Sequence, residues 1–537
     1  MADAGVGKDV VPELRRALAP QLPAFLMKQR WFGGKARKIQ SAELSDIVPI
    51  RTQTGSEALL LMVIVRYADG NEESYAIPVV PVVNTNANVT LETEGPSLHI
   101  PPVEGGASLV LADALRNEEF LSALLELIRG KATVSGENGE LRTLQTTAYS
   151  RLYPSSVGFL RPKPVRAEQS NSSIIYGDRL ILKFFRRMQE GINPDLEIGK
   201  FLTEKTSFAG VPPLAGSLEY HTRDGKEMVQ GILQQFVANE GDAWSYTLRS
   251  LAEFYDRAAK DGTDVSATSS PGREGEEVQV PKFASDVVDP YLAAAELLGQ
   301  RTAEMHLALA SEPRDPAFVP EPFTMEFQLS LEQSIRSLMA RVFEVLRDKI
   351  PALPDEWRGQ AADLAGREQA IGGRFHAALS RPIHAMRTRI HGDYHLGQVL
   401  RTGSDFVIID FEGEPARPIA ERRVKRSPLQ DVAGMLRSFH YAAFAPLLGE
   451  NKIQSEDPQK MGYWAESWNS WVANRFLGKY FETAGTANYL PQSREETRTV
   501  LELHLLEKAI YELGYELNNR PTWVGIPLQG ISKLLAE

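Results

Sequence analysis

The stretch of this 537-residue chain that leaves least freedom to the fold runs from His391 to Glu412. It opens with His391-Gly-Asp-Tyr-His-Leu-Gly-Gln398 and continues Val399-Leu-Arg-Thr-Gly-Ser-Asp-Phe-Val-Ile-Ile-Asp-Phe-Glu412. Two apolar runs flank Gly403-Ser404, and this pattern predicts a β-hairpin that returns Asp410 to the neighbourhood of Gln398. A fold containing it must gather a carboxylate at Asp393, an amide oxygen at Gln398 and further carboxylates at Asp410 and Glu412. Oxygen ligands of this kind suit Mg²⁺.

Phosphoryl transfer from ATP calls for such a set. It needs a carboxylate to accept a hydroxyl proton, oxygen ligands for Mg²⁺ and a cation to steady the phosphates. Asp393 fits the first role, and Gln398 with Asp410 the second. Glu412 is placed to hold a second Mg²⁺. Protein kinases use the same spacing, with Asn where this chain has Gln398 and Gly where it has Glu412. Histidines and acids are common in loops, so a lone HxD or DFE would mean little; the ordered combination is far more specific.

The cation is expected upstream. Val165–Gln169, Ser173–Tyr176 and Arg179–Phe185 (RLILKFF) read as antiparallel strands, with a tight turn at Gly177-Asp178, and Ile232–Val237 as another buried strand. Lys183, among apolar neighbours, is in the chain position to meet the α- and β-phosphates, although a lone strand lysine more often reaches solvent. The following helical stretch offers Glu197 as its orienting carboxylate, with Glu190 and Glu204 as rivals. No G-x-G-x-x-G is present. The segment Glu168-Gln-Ser-Asn-Ser-Ser173 brings Ser170, Ser172 and Ser173, which suit a phosphate-binding turn and an ordinary polar hairpin tip equally.

Hydrophobic residues make up 43% and charged residues 24%, enough apolar material for sizeable cores, and the length predicts two or three domains. A formal net charge of -11 disfavours nucleic acid as a partner. The absence of cysteine excludes disulfides, cysteine metal sites and a thiol nucleophile. The N-terminus lacks the pattern of a signal peptide and no apolar run is long enough for a membrane span, so the expected compartment is the cytoplasm. Residues 9–29 have helical spacing, and 41–82 short β-rich runs, which together predict an α+β domain over 1–150. A small antiparallel lobe is expected over 151–242. Helices are expected over about 244–260, 290–311, 326–349, 355–380, 429–447, 460–482 and 493–519, within a helical lobe spanning 243–537. Its residues 261–280, rich in Gly, Ser, Thr and Glu, read as a flexible insertion.

On the C-terminal helical stretch Lys508, Tyr511, Glu512 and Tyr515 fall on one face by their spacing. Such a face is either a wall for a hydroxylated acceptor or a solvated surface with half-buried tyrosines.

At HGDYHLGQ…IIDFEGEPARP the chain resembles the maltokinases, relatives of the aminoglycoside phosphotransferases. Similar stretches are Lys28–Lys35 (KQRWFGGK), Ala420–Ser438, and Glu507–Pro527 (EKAIYELGYELNNRPTWVGIP). The resemblance implies an α+β, bilobal, protein-kinase-like fold with a small antiparallel β lobe, a large helical lobe and an N-terminal α+β cap. It implies transfer of the γ-phosphate of ATP, with Mg²⁺, to the C1 hydroxyl of maltose, in a route from trehalose to α-glucan. It also implies Asp393 as base, Gln398 and Asp410 as metal ligands, Phe236-Val237 as the adenine hinge, and the Lys508–Tyr515 face as the acceptor wall. His391, His395 and Arg422 are expected near the loop or the substrate, and Asp431 as a brace of the loop. Trehalose synthase is a possible non-covalent partner. Another sugar such as glucosamine, an aminoglycoside, or a non-catalytic nucleotide-binding role are the competing readings.

Overall fold

A computed structural model describes residues 11–84, 96–100, 108–165, 171–260, 280–415, 417–448 and 457–536. The chain divides into two compact units: Met1–Lys205 with Pro212–Ala238 and Pro418–Glu421, and Thr206–Val211 with Asn239–Arg417 and Arg422–Glu537. Among the described residues, no helix is long and apolar enough to cross a membrane.

The first unit begins with α1 (Val11–Leu18) and α2 (Leu22–Met27). The sequence predicts a single helix over 9–29; Pro20 lies in the break, where its ring cannot continue the hydrogen-bond ladder. Leu14, Leu18, Leu22 and Leu26 nevertheless remain buried in one cluster. Five strands follow: β1 (Ile39–Arg51), β2 (Glu57–Tyr67), β3 (Glu72–Asn84), β4 (Leu98–Ile100) and β5 (Ser108–Asp113). They form an antiparallel sheet in the order β1-β2-β3-β5-β4. Next come α3 (Glu118–Arg129), β6 (Thr133–Ser135), β7 (Gly139–Gln145), α4 (Tyr149–Leu152), β8 (Pro162–Pro164), β9 (Asn171–Tyr176), β10 (Leu180–Phe185) and β11 (Arg187–Met188). The unit is completed by α5 (Pro194–Lys205), β12 (Leu214–Thr222) and β13 (Glu227–Gln235). The second sheet runs β6-β7-β12-β13-β10-β9-β8, while β11 joins the first sheet by pairing with β3.

β2 explains how the two sheets come to share one interior. Its sequence Ala58-Leu-Leu-Leu-Met-Val is apolar at every position, as expected of a strand buried on both faces. Leu59, Leu61 and Val63 pack with α1 and α2. Ala58, Leu60 and Met62 belong to a second cluster with Leu124 of α3, Leu182 of β10 and Leu218 of β12. That core contains residues from both sides of position 150, and the second sheet takes β6 and β7 from the segment that the sequence reading assigned to the cap.

Asp46 of β1 is a polar joint in this unit. It is fully buried and accepts hydrogen bonds from the backbone N–H groups of Ile47, Glu137 and Asn138 at 2.7, 2.7 and 3.0 Å, and from the Tyr220 hydroxyl at 2.6 Å. The link with Asp46 and the withdrawal of Tyr220 from water push the phenol well above its ordinary pKa, burial contributing most.

The second unit contains α6 (Ala243–Lys260), α7 (Ser285–Leu309), β14 (Glu321–Pro322), α8 (Met325–Lys349), α9 (Asp355–Ala365), α10 (Glu368–Leu379) and β15 (Met386–Arg387). The hairpin β16 (Val399–Thr402) and β17 (Asp405–Ile408) follows. α11 (Ile419–Arg422) lies where the chain leaves the first unit for the last time. The remainder is α12 (Leu429–Leu448), α13 (Pro458–Ala484), α14 (Arg494–Asn519) and α15 (Gly525–Ala536). The helix expected over 355–380 is two helices separated at Gly366-Arg367, and α15 has no counterpart in the sequence reading. The strand expected over Ile232–Val237 ends at Gln235. Most of the 261–280 insertion lies outside the described residues. Trp464 and Trp468 of α13 meet Phe254 of α6 and Tyr291 of α7, forming the aromatic interior of the bundle.

Asp46→Ala would leave three backbone donors and a phenol without their buried partner. It is expected to cost about 3 kcal/mol of stability, seen as a lower urea midpoint, whereas removing an exposed carboxylate, as in Asp363→Ala, should move the midpoint little.

Candidate active site

In the first unit, β10 sets Lys183 directly opposite Ser173 of β9 and Ile232 of β13. Its ammonium lies 3.4 Å from the carboxylate of Asp195, a buried residue in the first turn of α5. The sequence reading chose Glu197 for this place; Glu197 is half-buried two residues further along the same turn. Ser173 shares the Lys183 face of the sheet, since directly paired residues project to one side. Ser172 projects to the other side, where its hydroxyl accepts from Arg186 Nε at 3.2 Å. Arg186 is itself buried, paired with Asp113 at 2.6 Å and stacked over Trp31 at 5.1 Å. Ser172 can therefore meet a nucleotide on the Lys183 face only through its backbone. Ser170 lies outside the described residues. Phe236 and Val237 follow β13, and Phe236 N–H donates to Arg179 O at 2.7 Å.

In the second unit the loop from His391 to Gln398 is held by a buried carboxylate on α12. Asp431 accepts from the backbone N–H of His391 at 2.7 Å and of Gly392 at 2.9 Å. The His306 imidazole of α7 lies 3.1 Å from the same carboxylate, and its other nitrogen is 3.0 Å from the Tyr480 hydroxyl. Burial pushes the Asp431 carboxyl up, but the His306 bond, the neighbouring imidazoles and the Gly392 N–H outweigh it, so its pKa lies below the ordinary carboxylate value. One turn along α12 Gly434 lies against the loop: a Cβ there would stand 2.6 Å from Tyr394 O. A turn later Ser438 Oγ accepts from Leu396 N–H at 3.1 Å. Tyr394 is buried, with its hydroxyl 2.9 Å from that of Thr302.

This loop leaves Asp393 partly exposed while turning its neighbours inward. His391 is buried, its Nε2 is 2.9 Å from Ile409 O and its ring lies on Phe411, so it braces the loop from behind. His395 accepts from Gly397 N–H at 3.1 Å, and its Nε2 stands 3.9 Å from the Asp393 carboxylate. Burial lowers the His395 pKa, opposed by Asp393 and reinforced by the charge of Lys508.

The hairpin forms as its sequence predicts, with Val399 opposite Ile408 and a two-residue turn at Gly403-Ser404. Arg301 of α7 clasps its tip through Asp405 at 2.8 and 2.9 Å. Ile409 N–H donates to Gln398 O at 3.0 Å, which ties the residue before Asp410 to Gln398. Asp410 has φ 70°, a left-handed conformation uncommon outside glycine and often found where a side chain is aimed at a task. Asp410 and Glu412 offer carboxylate oxygens within 4.8 Å of one another, a separation that one cation can bridge. Arg422 backs this segment, donating to Arg417 O at 2.8 Å and Glu412 O at 3.4 Å.

α14 brings the last predicted group to the same place. Lys508 Nζ lies 3.5 Å from Asp393 and 5.0 Å from the Tyr511 ring centre. Tyr511 is half-buried; burial and the nearby Glu414 carboxylate raise its pKa well above that of a free phenol. Glu512 instead turns to the buried Arg437 of α12 at 2.7 Å. Tyr515 is 47% exposed. The sequence reading did not single out Asp195 or His306: neither lies in a motif, and each is defined by a partner on another element.

Residues 25–92 match the model of the maltokinase N-terminal cap domain. The chain is similar to the glucosamine kinase of Mycolicibacterium smegmatis, 26% identical over 384 residues, covering 70% of this chain and 80% of that protein. It is also similar to the glucosamine kinase of Streptacidiphilus jiangxiensis, 25% identical over 252 residues, with coverage of 47% and 51%. Among solved structures, a glucosamine kinase crystal form superposes with TM-score 0.60 at 18% identity, over 97% of this chain and 99% of that one. A glucosamine kinase complex with glucosamine, ADP and inorganic phosphate gives TM-score 0.58 at 18% identity, with the same coverage. The fold is thus the α+β, kinase-like bilobal one with an antiparallel β lobe, a helical lobe and an N-terminal cap. Within it, the cap is of the maltokinase type.

Gly434→Ala would push a methyl group into Tyr394 O and displace the loop that carries Asp393. A kcat loss on the order of 10²-fold is expected, because small misplacements of reacting groups are costly. The KM for Mg-ATP should stay within about twofold of wild type.

Proposed function

We propose that the chain is an ATP-dependent sugar kinase that phosphorylates the C1 hydroxyl of maltose. The observation that carries this reading is the meeting of Lys508 with Asp393 at 3.5 Å, which puts the polar and aromatic face of α14 beside the candidate base. In the reaction Asp393 accepts the proton of the sugar hydroxyl as its oxygen bonds to the γ-phosphorus, and the bond from that phosphorus to the β–γ bridging oxygen breaks to release ADP. Lys183, aligned by Asp195, is assigned to the phosphates, and Phe236-Val237 to the adenine. Gln398, Asp410 and Glu412 would hold Mg²⁺, which when bound neutralises phosphate charge. His391, His395 and Arg422 act by shaping the loop.

Glucosamine, the substrate named for the relatives, is the second reading. Charge supports a neutral acceptor instead. An ammonium sugar calls for an uncompensated carboxylate, yet Glu512 is paired with Arg437 and Glu414 with Arg417 at 2.9 Å. Lys508 adds a cation at Asp393, where a second would be repelled. The cap match, to a domain described by the maltokinase name, points the same way. A non-covalent partnership with trehalose synthase would place the enzyme beside a source of maltose.

ADP release should be measured with Mg-ATP against maltose, glucose, glucosamine, trehalose and an aminoglycoside, with NMR of the product. Maltose-dependent turnover with phosphate on C1 is expected; turnover with glucosamine alone would overturn the acceptor. Asp393→Asn should lower kcat by about 10³-fold or more while Mg-ATP still binds, and near-normal turnover would remove Asp393 from the role of base.

A further inference from the structure

Lys508 and Glu512 stand one helical turn apart on α14, a spacing at which opposite charges ordinarily pair. Here each has a different partner. Lys508 Nζ lies 3.5 Å from Asp393, and Glu512 is taken by Arg437 of α12. Arg437 Nε donates to Glu512 Oε2 at 2.9 Å, and Nη2 lies 2.7 Å from the same oxygen. Both contacts fall on Oε2, so Oε1 keeps its lone pairs. The two side chains are only 5% and 12% exposed, and water screens the pair little. α15 holds the guanidinium in place from a third side: a Cβ at Gly530 would collide with Nη1.

We propose that Arg437 determines acceptor selectivity: by compensating Glu512 it denies an ammonium sugar the carboxylate that would favour it, and it leaves Lys508 to Asp393. This rests on the neutral-acceptor reading above. Arg437 acts through Glu512 and Lys508, so it is a positioning residue. With the guanidinium in place the two formal charges cancel, and Lys508 alone sets the charge beside Asp393. Without it, Glu512 would carry a net charge one turn from Lys508, and in a partly buried site such a charge acts over several ångström. Glu512 would then also compete with Asp393 for Lys508. The acceptor side of α14 would change from cationic to anionic.

The test compares the maltose KM with the inhibition constant of 2-amino-2-deoxymaltose against maltose, at neutral pH. The two sugars differ by one ammonium group, and the ratio of the constants gives the preference for the amino sugar. That preference is expected to rise about tenfold in R437M. It should return to within about twofold of wild type in the R437M/E512Q double variant, and stay there in R437K, which keeps the charge. A purely structural role for Arg437 would weaken both sugars alike. An unmoved preference in R437M, or a rise that persists in the double variant, would therefore overturn the proposal. Should R437M not fold, E512Q decides: it leaves Arg437 uncompensated, so the preference should fall about tenfold, and an unchanged value overturns the proposal. Wild type that is silent toward maltose, or turns over amino sugars alone, overturns the acceptor reading and this inference together. Turnover of maltose with an unmoved preference in R437M overturns the inference alone.

Discussion

The geometry of the candidate active site depends on one buried carboxylate. Asp431 takes the backbone N–H groups of His391 and Gly392 and draws the loop onto α12, and the next two turns of that helix follow its contour with Gly434 and Ser438. The spacing of 431, 434 and 438 is one helical face, so the loop is laid along a template more rigid than itself. Burying a charge is costly unless it is fully hydrogen-bonded. Here His306 completes the set, and Tyr480 holds His306, so α7 and α13 both contribute to the orientation of a loop that neither contains. Asp393 can stay partly exposed because its neighbours His391 and Tyr394 are committed to the interior.

The same economy of charge governs the second half of α14. Three of its carboxylates face inward and each has a cation or donor: Glu507 has His504 and Arg417, Glu512 has Arg437, and Glu516 has Arg520 at 2.7 Å and Tyr441 at 3.2 Å. Glu516 is buried enough that its pKa rises, burial outweighing the Arg520 bond. With these three acids paired in the bundle, the side of the helix beside Asp393 is left to Lys508 and Tyr511. A chain that is acidic overall thereby presents a cationic and aromatic surface to the candidate base.

Much of this was legible in the sequence where the signal is local. The hairpin at Gly403-Ser404 forms in the expected register because two apolar runs and a two-residue turn determine it without outside help. The long helices of the second unit follow from their periodicity. What escaped was decided by distant packing or by single breakers. Pro20 divides the first helix although the burial pattern runs on through it. Asp195 of α5 stands 3.4 Å from Lys183 of β10, a contact between elements that residue spacing alone did not single out. For Ser172 the sequence left a phosphate-binding turn and a polar hairpin tip equally open, and strand alternation turns its hydroxyl to Arg186.

The interior shared by the two sheets of the first unit bears on how such a chain can change over time. Leu60 and Met62 of the first sheet share a core cluster with Leu182 and Leu218 of the second, and β11, which follows β10 of the second sheet, extends the first by pairing with β3. A gene truncated near codon 150 would expose half of a hydrophobic core on each side of the cut, and neither fragment could fold as the whole does. The cap sheet and the second sheet therefore fold as one cooperative body. Substitutions along β2 must satisfy two interiors at once.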